Sequence, residues 1–418
     1  MIDVGPNRRI IVIGAGIVGV CTGLFLQRAG HSVVIVDPKA PGRSTSFGNS
    51  GVIAAGNVYP ISTPGTWKHV PRMLMDPRAP LKLRWSYLPR MVPWMIRFLA
   101  ASMPGRVEQI SKDLSALTKD AIAAHQILLE DHGIHDIVRP VGWLKVYSTD
   151  RAFEATAAER AAQERRGIKV EVLDEDEIRQ LEPGLSHDFK HGTFQPDNSF
   201  VSSPAKLTDA YAEAFVRLGG CFQAERVIRF EFDDGLPCTA ITDLGMYEAD
   251  DFVICAGAWS NKLTAMLGTP VPLDTERGYH LNLSVETGPG LRRPTVIGEQ
   301  GFVLAPMQDG LRLTSGVEFA GVDAPPDFGR IYNLLPLARL ALPGLGKTVT
   351  REWLGYRPSM PDSKPVIGRS PLFGNVYFGF GHGHIGLTLA ARTGQILSDL
   401  VSKGSADLDL TPYAADRF

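Results

Sequence analysis

The 418-residue sequence is poor in cysteine, in long apolar runs and in net charge, and each shortage removes a class of protein. Its four cysteines, Cys21, Cys221, Cys238 and Cys255, fall at no CxxC spacing. That argues against a zinc ribbon or a disulfide framework and fits a reducing, cytoplasmic compartment. No stretch reaches the roughly 18 to 20 consecutive apolar residues that cross a bilayer. A formal net charge of −2 argues against a nucleic-acid partner. There is no internal repeat and no low-complexity segment. What remains is the composition of a globular protein, 44% hydrophobic and 21% charged, over a length that fits two intimately joined domains.

The first motif is "RRIIVIGAGIVGVCTGLFLQRAGHSVVIVD". Arg8-Arg9 before the nearly uncharged run from Ile10 to Leu26 has the outline of a twin-arginine export signal, but the glycines inside it have another explanation. The pattern predicts a strand from Arg9 to Ile13, a glycine turn, a helix with Val18, Cys21, Leu24 and Phe25 on one side, a cap at Gly30, and a strand ending at Asp37. In Gly14-x-Gly16-x-x-Gly19, Gly14 permits the bend, Gly16 lets a pyrophosphate approach the helix N-terminus, and Gly19 lets helix and strand pack closely. Asp37 can accept hydrogen bonds from a ribose diol and would repel a 2'-phosphate. An ADP-containing dinucleotide is expected, and the fingerprint alone leaves FAD and NAD open. No second GxGxxG lies between a strand and a helix, so one dinucleotide is expected.

At the other end, "FGFGHGHIGLTLA" runs from Phe378 to Ala390. Leu389, Ile396, Leu397, Leu400 and Val401 have helical spacing, predicting a helix from about Ile385 to near Gly404. Its unpaired N–H groups and positive dipole end would face whatever lies beside the glycines. A flavin gains negative charge on reduction, which such a helix start would stabilise. His382 and His384 lie two apart with no Cys, Asp or Glu nearby, and His187 and His191 have an i, i+4 spacing with no third ligand. No metal is expected at either pair.

Between these ends the pattern alternates. Ser203-Pro204 reads as an N-cap and first turn of a helix to about Leu218, followed by strands near Cys221 to Phe232 and Phe252 to Cys255 that belong with the dinucleotide fold. Trp143 to Ser148, Tyr279 to Val285, Gly301 to Pro306 and Leu311 to Val317 alternate as half-buried antiparallel strands do, predicting a second domain on a mixed or antiparallel sheet. In 61–106, Lys68, Arg72, Arg78, Lys82, Arg84, Arg90, Arg97 and Arg106 face only Asp76 among acids. Aromatic and aliphatic residues including Trp67, Met73, Leu74, Trp85, Met91, Trp94 and Phe98 lie between them. This mixture suits peripheral contact with the inner face of a membrane; helices with a solvated basic face are the alternative.

Several stretches together resemble the D-amino acid oxidase superfamily of FAD-dependent oxidoreductases, particularly its bacterial D-amino acid dehydrogenase (small-subunit type) branch. They are Thr45-Ser46-x-x-Asn49-x-Gly51 after the acid, "DDFVICAGAWS" from Asp250, "GYRPSMPDSKPVIG" from Gly355 and "GFGHGHIGLTLAARTGQILSDLVSKG" near the end. The resemblance runs from Arg8 to about Gly404. It implies an α/β fold, a Rossmann-like FAD-binding domain (1–60, 196–270 and 350–418) interleaved with a substrate domain on a mixed or antiparallel sheet (61–195 and 271–349). It implies FAD contacts at Gly14, Ala15, Gly16, Ile17, Val18, Gly19, Asp37, Pro38, Ser44, Thr45, Ser46, Asn49, Gly51, Val52, Val227, Ala256, Gly257, Trp259, Gly381, His382, Gly383, His384, Ile385, Gly386, Leu387 and Thr388. Attachment would be non-covalent, since no cysteine lies after Arg357. Arg357 aligns with the family's carboxylate-binding arginine, whose planar fork sets direction as well as position. Phe302 falls where the family has a tyrosine, leaving Tyr279 and His280 as polar candidates for the pocket. No strong base is assigned. The implied activity is oxidation of a D-amino acid, a cyclic one such as a D-hydroxyproline included, with electrons passed to a quinone or O2. Oxidation of a sarcosine-like amine or a 2-hydroxy acid, and a non-catalytic flavin-bearing subunit, are the alternatives.

Overall fold

Residues 7–64, 75–76, 81–134, 137–285 and 290–418 are described in the structure, a computed structural model. The apolar runs at the N-terminus and near Phe378 become strands of one six-stranded sheet. Its order is Cys221–Gln223, Ser32–Val36, Arg9–Ile13, Asp251–Ile254, Val376–Phe380, Val366–Arg369. The first five run parallel and the last antiparallel. Strands buried on both faces need continuous rather than alternating apolar residues, which is what "IIVI" and "VVIV" supply.

Of the residues that the sequence places on one side of the helix Ile17–Arg28, Cys21, Leu24 and Phe25 are buried and Val18 is half-buried. Every residue from Gly19 to Leu26 is buried, because the helix lies between the sheet and two further helices, Pro204–Arg217 and Gly386–Lys403. A Cβ at Gly394 would meet the backbone of Cys21 and Thr22, so the first and last helices cross backbone against backbone. The last helix starts after Ile385 and ends at Gly404, which takes the left-handed conformation at φ 76°.

A nine-stranded mixed sheet forms the second layer, with Asp274–Val285 hydrogen-bonded between Gly310–Phe319 and Leu345–Ser359. Trp143–Tyr147 joins it parallel to Thr295–Ile297. Two sequence expectations need correction. Leu345–Ser359 is one strand of this sheet, so the domain boundary expected at 350 falls inside a strand and 350–359 pairs with the second layer. Val227–Asp233 leaves the dinucleotide sheet for a three-stranded antiparallel one with Leu236–Thr242 and Met246–Glu248. Only Val227 and Phe230 of this strand are buried, as befits a sheet wet on one face.

In 61–106, Trp67, Lys68, Arg72, Met73, Leu74 and Arg78 lie outside the described residues. The helix Leu88–Ala101 buries Met91 and Trp94 against Phe319. Trp85, Val92, Ile96, Leu99 and Met103 remain exposed. Lys82 does not belong to the basic face, since it pairs with Asp327 and Glu318. Among the described residues no helix is long and apolar enough to cross a membrane.

Candidate active site

A cavity of about 360 Å³ opens between the two layers. From the dinucleotide side, Gly16, Ile17 and Val18 bring the start of the first helix to its wall, and Ile385, Gly386 and Leu387 bring the start of the last. Neither helix has a side-chain N-cap hydrogen bond or an acid in its first turn. Two helix starts at one cavity, neither closed by its own N-cap side chain, are a site for anionic groups. Asp37 lies on the same wall. Its carboxylate accepts Ala15 N–H at 2.9 Å and Lys39 N–H at 2.8 Å, one on each oxygen. Burial raises its carboxyl above the usual range and those two bonds oppose the shift. Gly14, at φ 114°, has no room for a Cβ against Cys255 and Ala256, which is why the turn must be glycine there.

The polar segment after Asp37 closes over this end. Ser46 Oγ accepts Ile17 N–H at 2.9 Å, Thr45 Oγ1 donates to the Tyr356 carbonyl at 3.0 Å, and Arg312 donates to the Asn49 carbonyl at 2.7 Å. It is thereby stitched both to the first helix and to the second sheet.

From the second layer come Trp143, Gly278, Val303, Ser315, Val317, Trp353 and Arg357. Arg357 lies across Gly278, where any Cβ would strike the guanidinium, and donates to the Gly316 carbonyl at 2.7 Å. Burial pulls its pKa down and the Glu276 carboxylate pulls it up; an arginine stays charged. Glu276, directly opposite Arg357 in the strand register, is buried. It accepts the Ser359 hydroxyl at 2.6 Å and contacts His384 Nε2 at 2.7 Å. Burial raises the Glu276 carboxyl, but His384, Ser359 and Arg357 outweigh it, and the net shift is downward.

Of the residues singled out from sequence, Gly16, Ile17, Val18, Asp37, Ser44, Thr45, Ser46, Asn49, Val52, Ala256, Gly257, Trp259, Arg357, His382, Gly383, His384, Ile385, Gly386, Leu387 and Thr388 line the cavity. Gly14, Ala15, Gly19, Gly51 and Gly381 stand behind it, holding turns or close backbone contacts, and Pro38 is off its wall. Four assignments do not fit. Val227 is off the cavity wall, packed in the core cluster behind Ala256 and Phe380. Tyr279 points to the opposite face of its strand, where its hydroxyl bonds Glu318 at 2.5 Å. Phe302 is likewise buried in that core, and its neighbour Val303 faces the cavity instead. His280 is covered by the polar segment: Nδ1 donates to the Gly48 carbonyl at 2.9 Å and the ring stacks on Trp353. Desolvation, with Arg312 nearby, pushes the His280 pKa down to about 3, so it is a neutral structural brace. Glu276, Gly278, Trp143 and Trp353 were not singled out from sequence; strand register sets Glu276 opposite Arg357 and Gly278 opposite Gly355, and Ser359, inside the quoted motif, was given no role there.

Residues 9–400 match the sequence profile of the family described as FAD dependent oxidoreductase. The chain belongs to this family. The two helix starts, the glycine cradle and Asp37 fit the pyrophosphate and ribose of FAD, and the enzyme is an FAD-dependent oxidoreductase. It is similar along its whole length to a D-amino-acid oxidase of Bradyrhizobium diazoefficiens, 34% identical with 99% of each chain covered. A D-amino acid dehydrogenase of Vibrio vulnificus is 30% identical, covering 97% of this chain and all of the relative. Among solved structures, glycine oxidase from Geobacillus kaustophilus superposes with a TM-score of 0.76 at 22% identity, covering 99% of this chain and 100% of that one. L-proline dehydrogenase from P. horikoshii gives 0.75 at 18%, covering 99% and 98%. At these identities the structural likeness speaks for the fold alone.

Proposed function

We propose that this FAD-dependent oxidoreductase removes two electrons from D-amino acids, giving an imino acid that water hydrolyses to a 2-oxo acid and ammonia. The observation that carries the reading is Arg357, fixed by Gly278 and Gly316 on the cavity whose other wall fits FAD. The full-length relatives, a D-amino-acid oxidase and a D-amino acid dehydrogenase, support the choice of substrate. Bound non-covalently, FAD supplies the two-electron acceptor. Gly16 and the helix starts at Ile17 and Gly386 would face its pyrophosphate and ring, and Asp37 its ribose diol. Arg357 holds the substrate carboxylate bidentately and so aims the Cα–H. Trp143, Val303 and Trp353 give the cavity apolar walls that exclude water.

Anaerobic mixing of the purified yellow protein with pools of D- and L-amino acids, cyclic ones included, tests this. Flavin absorbance should bleach with the D-pool. Bleaching by sarcosine or 2-hydroxy acids alone would overturn the assignment of substrate.

The electron acceptor is a quinone, reached through peripheral membrane contact by the face of Leu88–Ala101. Val92, Ile96 and Leu99 are exposed on one face of this helix, Trp85 is exposed just before it, and Arg90 and Arg97 are exposed on its flank. Salt-sensitive cosedimentation with phosphatidylglycerol vesicles is expected, lost in a Trp85→Ser/Ile96→Ser variant. Equal recovery in the supernatant with and without vesicles at low salt would leave O2 as the acceptor.

A further inference from the structure

Two histidines stand two residues apart in the segment before the last helix, and the fold treats them differently. His382 is buried, with Nε2 bonded to the Thr393 hydroxyl at 2.9 Å. Desolvation pushes its pKa down to about 3, so it is neutral throughout the working range. His384 lines the cavity and is about a third exposed. Its Nε2 meets the buried carboxylate of Glu276 at 2.7 Å, and its Nδ1 has no partner among the described residues.

A buried carboxylate is costly unless the structure gives it partners. Here Glu276 has three: the Ser359 hydroxyl, His384, and Arg357 across the strand pair. A carboxylate on one imidazole nitrogen fixes the ring's tautomer and stabilises the cation formed when the other nitrogen takes a proton. Glu276 touches His384 and stands opposite Arg357, so one buried carboxylate links the ring to the clamp, and both line the same cavity.

An amino acid enters as a zwitterion. Its ammonium has no lone pair to assist departure of the Cα–H electron pair, so it must first lose a proton. Building on the substrate reading above, we propose that His384, oriented by Glu276, accepts that proton at Nδ1. One N–H bond of the ammonium breaks, its electron pair stays on the amine, and an N–H bond forms at Nδ1. No electrons leave the substrate in this step, and the cavity's total charge is unchanged. Among the described residues, the other charged groups that act on the Glu276 carboxylate are Arg357 and Asp274, the latter accepting the Tyr87 hydroxyl at 3.0 Å, and the neutral His382 stands two residues before the ring.

The test is the pH profile of kcat/KM for flavin reduction by a good D-amino acid, with FAD content verified by absorbance. In the wild type the rate falls on the acid side through one titration and is flat above it. In His384→Gln only the neutral amine reacts, so the rate should climb about tenfold per pH unit across the range where the wild type is flat. The penalty should shrink for a D-amino acid whose β-carbon bears fluorine, because its amine sheds its proton more readily. Glu276→Gln keeps the shape but removes the charge that stabilises the protonated ring. It should move the acid limb to lower pH and lower the plateau, and it provides the readout if His384→Gln fails to retain FAD. A His384→Gln profile that coincides with the wild type, or an acid limb that does not move in Glu276→Gln, overturns the proton role while leaving the substrate assignment standing. A wild type reduced by no D-amino acid at any pH removes the substrate assignment first, and the proton role with it.

Discussion

Arg357 owes its pose to a residue with no side chain. Any Cβ at position 278 would occupy the space of the guanidinium, so Gly278→Ala should misdirect the fork while leaving FAD bound. A loss on the order of 10- to 100-fold in kcat/KM is expected, the scale of an ångström-sized misplacement. Arg357→Ala should cost more. Losing a charge-assisted bidentate contact is worth roughly 2 to 5 kcal/mol, or about 30-fold to several-thousand-fold in kcat/KM, and Lys should restore binding better than rate. Steady-state kinetics on acid and amide substrates check this: a Gly278→Ala enzyme with wild-type kcat/KM would mean that Arg357 is not the clamp. At this scale the sequence was legible where a motif carries its own geometry, as in Gly14-x-Gly16-x-x-Gly19 and Asp37. It was illegible where strand phase decides. From Asp274 to Asn282, Asp274–Val285 alternates without interruption along Leu345–Ser359 while its other neighbour, Gly310–Phe319, carries a bulge between Ser315 and Glu318, and which phase faces the cavity is set by these pairings. Tyr279 and Phe302 were each one residue out of phase with the cavity. His280, on the cavity side, is hidden by a polar segment whose path no periodicity predicts.

At the scale of elements, the last helix was readable from its spacing, its glycine-rich approach and the cap at Gly404. Its partner was not. The crossing with Ile17–Arg28 depends on Gly394, an unremarked glycine inside an apolar helix pattern, whose Cβ would press on the backbone of Cys21 and Thr22. Both helices present their N-termini to the cavity, so their mutual angle sets how the two positive dipole ends converge. Gly394→Val should force them apart at about 1 to 3 kcal/mol of overpacking, lowering the melting temperature and weakening FAD retention together. Thermal melts with and without added FAD would show both effects; an unchanged melting temperature would mean the crossing tolerates the extra volume. The strand Val227–Asp233 illustrates the opposite limit. Its apolar residues continue those of Cys221–Gln223 closely enough to suggest one sheet, and only the pairing separates the two: Cys221–Gln223 runs parallel to Ser32–Val36, Val227–Asp233 antiparallel to Leu236–Thr242.

For the whole molecule, the buried histidines set how stability depends on pH. Desolvation lowers His125 to about 4 and His280 and His382 to about 3, from an ordinary value near 6.5. Each stays neutral in the folded protein while the unfolded chain takes up a proton below pH 6.5. Unfolding therefore binds protons in this window, and stability that is complete above pH 6.5 is lost as the pH falls. Asp251 works the other way. Burial raises it to about 6 despite the nearby Arg8, so between pH 6 and its unfolded value the folded state holds the extra proton. Three histidines against one aspartate leave about two protons, a slope near 3 kcal/mol per pH unit between pH 6 and 4. Asp37, Asp274 and Glu182, also raised by burial, reduce that slope at its lower end, and Glu276, held below its ordinary value, adds to it only under still more acid conditions. The onset near pH 6.5 is therefore the histidine signature. Melting temperatures of the FAD-saturated protein should be level from pH 8 to 6.5 and then drop steeply. His125 does not line the cavity; it is bonded to the Tyr211 hydroxyl and, from behind the wall, to the Leu387 carbonyl, and it offers the control once FAD content is matched. His125→Gln should lower stability at neutral pH yet flatten the acid slope by about one proton. A melting temperature that does not change between pH 6.5 and 5 would mean that water reaches these rings and that they take up protons in the folded protein as readily as in the unfolded chain.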